Sequence, residues 1–224
     1  AGNVILLADA TYEATTGSTP AYLATSFRLD AQDIIERRHV FPPFEALARA
    51  GAGFGHNLFV LDADSVLRHT IPFVRTSGNR ALPSLGLAVA MQVAGVRPEE
   101  VRREGDVLHI RDRALPLARR RVKAASGIET YQWALVDFRG PAFLEDLKTR
   151  PYAHYTAWDI ISAENDLRSN AKPALDPSIF RDKIVFVGVT AAGLYDVFGT
   201  PFSGPQMPGI QVHAAVADDM LSNR

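Results

Sequence analysis

The stretch Phe180 to Leu221, FRDKIVFVGVTAAGLYDVFGTPFSGPQMPGIQVHAAVADDML, constrains the fold of this chain more than any other. It opens with an apolar run, Ile184 to Val189, too short for a helix and rich in β-branched residues. Such a run predicts a strand buried on both faces, as in a parallel sheet. Small residues follow from Thr190 to Gly193, so the backbone can turn tightly where open α/β folds place their ligands. Asp196 comes next, then Thr200-Pro201 and a Gly/Pro-rich turn from Ser203 to Gly209. Apolar residues at 210, 212, 216, 220 and 221 suit one face of a closing helix, with His213 in its first turn.

This arrangement resembles the carboxyl-terminal half of the CHASE type-two domain, the cyclase/histidine-kinase-associated sensory extracellular domain. The likeness rests on Lys183-Ile-Val-Phe-Val-Gly188, Ala191-Ala-Gly-Leu194, Asp196, Thr200-Pro201 and Pro208-Gly-Ile-Gln-Val-His-Ala214. Upstream, Gly55-His-Asn57, Asp62-Ala-Asp64, Arg68 and Leu82-Pro-Ser-Leu85 resemble the middle of the family. Two departures stand out: Ser65 where the family usually has Gly, and no counterpart of the family's opening strand-helix-strand portion.

The chain has 224 residues, 47% of them hydrophobic, enough for one sizeable core. Its 24 basic and 25 acidic side chains leave a formal net charge of -1, which gives no support to a nucleic-acid partner. The absence of cysteine excludes disulfides, thiolate metal sites and cysteine nucleophiles. No run approaches the roughly 18 apolar residues that cross a bilayer. Both ends read as cuts through a longer protein.

Strands are expected near 3–8, 57–61, 66–74, 107–111, 133–138 and 184–189, and helices near 44–50, 84–94 and 210–221. The fold class expected is α/β: a single layered domain, residues 1–224, with a mainly parallel central sheet and helices on both faces. Asp62, Asp64 and Arg68 read as a structural hairpin turn, because the further oxygen ligands and the glycine of a calcium loop are missing. The basic run Arg119 to Lys123 reads as a solvated face, and residues 165–176 as a surface loop.

No catalytic motif is present, and no metal or cofactor is expected. The candidate ligand-binding residues are Thr190, Gly193, Asp196, Thr200 and His213. Asp196 and His213 could form a hydrogen-bonded pair at the start of the last helix, serving either as a polar site or as an anchor for the long loop. The remaining histidines, 39, 56, 69, 109 and 154, read as ordinary core or surface residues.

The resemblance implies a non-catalytic sensory input domain on the extracytoplasmic, periplasmic face of a bacterial membrane. It implies flanking membrane helices and a cytoplasmic adenylate or guanylate cyclase, histidine kinase or Ser/Thr kinase. The partner would be a small-molecule or environmental signal, with a homodimer left open. A small α/β enzyme using Asp196 and His213, and a ligand-free dimerisation domain, are the alternatives.

Overall fold

The computed structural model describes residues 3–11, 26–29, 34–41, 43–76, 80–124, 127–143, 151–190 and 196–222. Strands make up 33% of the described residues and helices 26%, and the strands fall into five small sheets. β1 (Ile5–Thr11) lies between β2 (His39–Phe41) and β3 (Gly53–His56). The β1–β3 pair is parallel, Ile5 opposite Gly53 and Ala8 opposite His56, whereas β2 pairs antiparallel with Asp9 to Thr11. A short helix, α1 (Glu45–Ala50), connects β2 to β3.

Every other pairing of named strands is antiparallel. The pair β5 (Phe73–Thr76) and β6 (Arg80–Pro83) leads into α2 (Leu85–Val93). A three-stranded meander follows, β7 (Val101–Glu104), β8 (Val107–Ile110) and β9 (Arg113–Pro116). Then β10 (Ala118–Ala124) folds back on β11 (Gly127–Leu135), whose end pairs with β4 (His69–Thr70). The chain closes with α3 (Ala157–Arg168), the small pair β12 (Val197–Phe198) and β13 (Met207–Pro208), and α4 (Gly209–Ser222).

The mainly parallel sheet with helices on both faces is therefore not what forms, and the connections explain why. A parallel crossover needs a dozen or more residues, while a two-residue loop permits only antiparallel neighbours. The joints at Gly105 (φ 60°) and Arg111 (φ 55°) are such loops, each held in the left-handed region that tight hairpins use. Nor do helices flank a central sheet: α2 packs on β1 and β3, and α4 packs on α2.

The second correction concerns Ile184 to Val189, which joins no strand in the structure. Val185 is 53% exposed and Val187 88%. A run of β-branched residues is suited to a ladder, but a ladder also needs a neighbour, and none lies beside this run among the described residues. Residues 57–61 are also not a strand, and 66–74 contributes only β4 and the start of β5. Conversely, α3 runs to Arg168, into the segment read as loop. A capping box starts it, with the Asp159 carboxylate accepting from the Thr156 N–H at 2.8 Å.

Three apolar clusters form the core. Val40, Phe54, Val74 and Leu82 fill the space under β1 and β3. Phe73, Leu87, Met91 and Leu108 join α2 to the meander. Leu67, Phe138, Met207, Val212 and Val216 seat α4. The helices touch at Gly86, where an added Cβ would lie 2.7 Å from the Val216 Cβ and closer still to the His213 carbonyl oxygen. Backbone cannot yield there as a flexible side-chain tip can. Gly86→Ala is expected to lose about 1–3 kcal/mol, the usual cost of overpacking, read as a lower urea midpoint. An unchanged midpoint would mean that the helices are not in contact.

Candidate functional site

The start of α4 is built by the hairpin before it. β12 and β13 close residues 196–209 on themselves, Val197 opposite Pro208, and the Gly209 N–H donates to the Asp196 carbonyl at 2.9 Å. This brings the Asp196 carboxylate against the first residue of the helix, where a Cβ on Gly209 would lie 2.7 Å from its Oδ2. A helix N-terminus attracts negative charge through its free N–H groups and dipole. Here the chain supplies that charge itself, so the position is poorly suited to a phosphate or other external anion. Partial burial nonetheless pushes the Asp196 carboxyl upward.

Of the other candidates, Thr200 is buried and Thr190 exposed. Gly193 lies outside the described residues. His213 is buried one turn into α4, its ring 4.7 Å from that of Phe59. No hydrogen bond or ion pair joins it to Asp196, and its Nδ1 has no partner. A second buried histidine, His56 at the end of β3, lies within electrostatic reach of it.

His56 is fully buried. Its Nδ1 accepts from the Leu58 N–H at 3.1 Å, which places the neutral ring's proton on Nε2, and Nε2 has no hydrogen-bond partner. Burial drives its pKa down to about 3, with the His213 charge adding to the effect and the Ile71 carbonyl opposing it. His213 is lowered to about 4 by burial alone. Read from composition, His56 looked like any core histidine. The signal that pointed to it was its place in the Gly55-His-Asn57 segment.

The turn at Asp62, Asp64 and Arg68 is tied to the same hairpin, the Leu67 N–H donating to the Gly199 carbonyl at 2.7 Å. The Arg68 guanidinium spans both carboxylates, at 2.8 Å from Asp62 and 2.7 Å from Asp64, and Arg120 adds a second cation on Asp62. The hydrogen bonds from Arg68 hold Asp64 down to about 2 and lower Asp62 as well. A bidentate fork of this kind fixes a turn geometrically. Among the described residues no group of three or more His, Asp or Glu is placed to hold a metal. At the other end of α4, a cleft of about 230 Å³ opens between α2, the β8–β9 loop and the last turn of α4, floored by Met91, Ile110 and Met220. Arg113 on its rim donates to the Leu221 carbonyl at 3.0 Å.

The fold and this site define an α+β domain whose last helix rests on buried, uncharged imidazoles. A family model described as the CHASE2 domain matches residues 5–224, and the chain belongs to that family. It is a family of extracellular sensory domains rather than of catalysts. No curated protein and no solved structure matches the chain. Among the described residues no helix is long and apolar enough to cross a membrane.

Two predictions come from this site. Ser65 stands at φ 62°, in the region that costs a side-chain-bearing residue about 1–2 kcal/mol. Ser65→Gly is expected to raise stability by about 0.5–1 kcal/mol once the greater freedom of the unfolded glycine is deducted, measured by urea titration; a loss would show that the serine side chain holds the turn. The second concerns acid. Both histidines have folded pKa values below the ordinary 6.5, so the unfolded chain binds more protons as pH falls. Their stabilisation is complete above about pH 6.5 and is lost as pH falls from there, to about pH 4 for His213 and about pH 3 for His56. Going from pH 7.5 to 5.5 is expected to cost about 3 kcal/mol for the two together. His56→Gln should remove about half of that slope, and a slope unchanged by it would place the titration elsewhere.

Proposed function

We propose that this chain is the extracytoplasmic sensory input domain of a bacterial transmembrane signalling receptor. It would stand on the periplasmic face of the cell membrane, in a protein anchored by flanking helices. The output domain is a cyclase, a histidine kinase or a Ser/Thr kinase, and the stimulus is a small molecule or an environmental condition. The observation that carries this reading is the join between the 196–209 hairpin and α4. Asp196 lies at the helix N-terminus and His213 sits one turn further on with its Nδ1 unpartnered, so a change at the hairpin is felt at once by a helix.

A signal on this reading shifts the balance between two seatings of α4 on α2. Thr190, Asp196, Thr200 and His213 are the groups through which a ligand would act, and the donor-poor, carboxylate-bearing rim favours a cationic or neutral hydrogen-bonding molecule over an anion. The His213–Asp196 acid/base pair needed by an enzyme is not formed, which weakens the catalytic alternative.

The test is Asp196→Asn in the membrane-embedded receptor, with the output activity measured beside the melting temperature of this domain. The expected result is a basal output altered several-fold with a melting shift of less than about 4 °C, the change that roughly 1 kcal/mol brings in a domain of this size. Unaltered output with lost stability would reduce Asp196 to a loop anchor.

A further inference from the structure

The cleft at the carboxyl end of α4 is separate from the groups gathered at its amino end. A helix of 14 residues, rising 1.5 Å at each, puts about 20 Å between the two. Met91 and Ile110 in its floor are almost fully buried, and Met220 is half-buried beside them. Two thioethers and a branched alkyl group adapt to an apolar guest and offer it no strong hydrogen bond. The rim carries three consecutive charged residues, Arg111 and Asp112 of the β8–β9 loop and Arg113 at the start of β9.

These three charges are not equivalent. The Arg111 guanidinium donates to the Ala94 and Gly95 carbonyls, both at 2.7 Å, and pairs with Glu100. It is committed to closing the end of α2 and stands as a wall. Arg113 uses only Nη2, on the Leu221 carbonyl at 3.0 Å, and its other donors meet no partner among the described residues. Asp112 is exposed, and among the described residues its carboxylate has neither a hydrogen bond nor an ion pair. A guanidinium with donors to spare and a free carboxylate thus stand on adjacent residues above an apolar floor. A purely anionic guest would meet the like charge of Asp112, and a purely cationic one that of Arg113. A guest with both charges on one small head meets neither penalty.

The volume, about 230 Å³, bounds the body of that guest. An apolar cavity of about 150 Å³ accepts benzene, whereas drug-sized ligands occupy pockets of about 300 Å³ or more. A side chain between those of leucine and phenylalanine fits, with room for its head at the rim.

We propose that the cleft binds a free apolar α-amino acid. Its carboxylate accepts from Arg113, its ammonium donates to Asp112, and its side chain lies on Met91, Ile110 and Met220. A carboxylate is a stronger acceptor than the Leu221 carbonyl with which it shares the guanidinium. This goes beyond the sensory reading and uses none of the residues on which that reading rests.

The test is isothermal titration of the chain with L-leucine. One molecule is expected to bind per chain, with a dissociation constant below about 1 mM, within reach of so small a ligand. Three analogues divide the contacts: glycine lacks the apolar body, 4-methylpentanoate the ammonium and 3-methylbutylamine the carboxylate. Each should bind at least about tenfold more weakly, the difference that one charge-assisted hydrogen bond or a buried alkyl group makes. Asp112→Asn should weaken leucine by about the same factor and leave 4-methylpentanoate no weaker. Arg113→Gln, which keeps a donor for the Leu221 carbonyl, should weaken leucine and leave 3-methylbutylamine no weaker. Both positions are on the rim, so each variant should keep the circular dichroism spectrum of the parent. The absence of heat from both L-leucine and L-phenylalanine at about 10 mM, well above the expected constant, would overturn the proposal. So would an acid or amine that binds as tightly as the amino acid, or a leucine affinity untouched by Asp112→Asn. Such a failure would leave the roles given to Asp196 and His213 as they stand.

Discussion

The close approach of α2 and α4 at Gly86 is the contact on which the rest of the architecture depends. Because residue 86 has no side chain, the carbonyl of His213 and the Val216 side chain come down onto the α2 backbone. That approach buries Val212, Val216 and Ala215 to within 3% of full enclosure. It also fixes where His213 can be, against the Phe59 ring. With α2 already on β1 and β3, the helix pair couples the parallel strands to the hairpin before α4. A displacement at either end must be accommodated by helices with no slack between them, since packed interiors deform little.

The helices were legible in the residues and the sheet order was not. Ser84 to Ala94 is apolar nearly all round and ends at a glycine, and it forms α2. The spacing 210, 212, 216, 220 finds α4, and the alternation in Val107-Leu-His-Ile110 finds β8, with Leu108 and Ile110 inward. What was lost is pairing. Periodicity records which faces are apolar, but whether neighbours run parallel is decided by the loops, and a two-residue loop such as that at Gly105 leaves no trace in periodicity. The Ile184–Val189 run shows the limit from the other side. Its composition describes the environment for which it is suited, and among the described residues that environment is missing.

The site was legible in its residues more than in its contacts. Asp196 lies against the first residue of α4 and His213 one turn into it, yet no hydrogen bond or ion pair joins the two, and the ring beside the imidazole is that of Phe59. No pattern of spacing links position 56 to position 213. Their burial in one region is a product of three packed elements, β3, α2 and α4. Two imidazoles kept neutral by burial, each with an unpartnered nitrogen, are costly ornaments for a core, because an unmet polar atom there forfeits its hydration.

Asp196 carries a further consequence. By resting its carboxylate on Gly209, the chain has installed a resident guest at the mouth of its own helix. Any acidic visitor must evict that guest. It competes with a group tethered a few atoms away, at an effective concentration in the millimolar range. The helix end is thus set to ignore scarce anions and to notice whatever draws the carboxylate off: a cation that holds it, or a proton that discharges it.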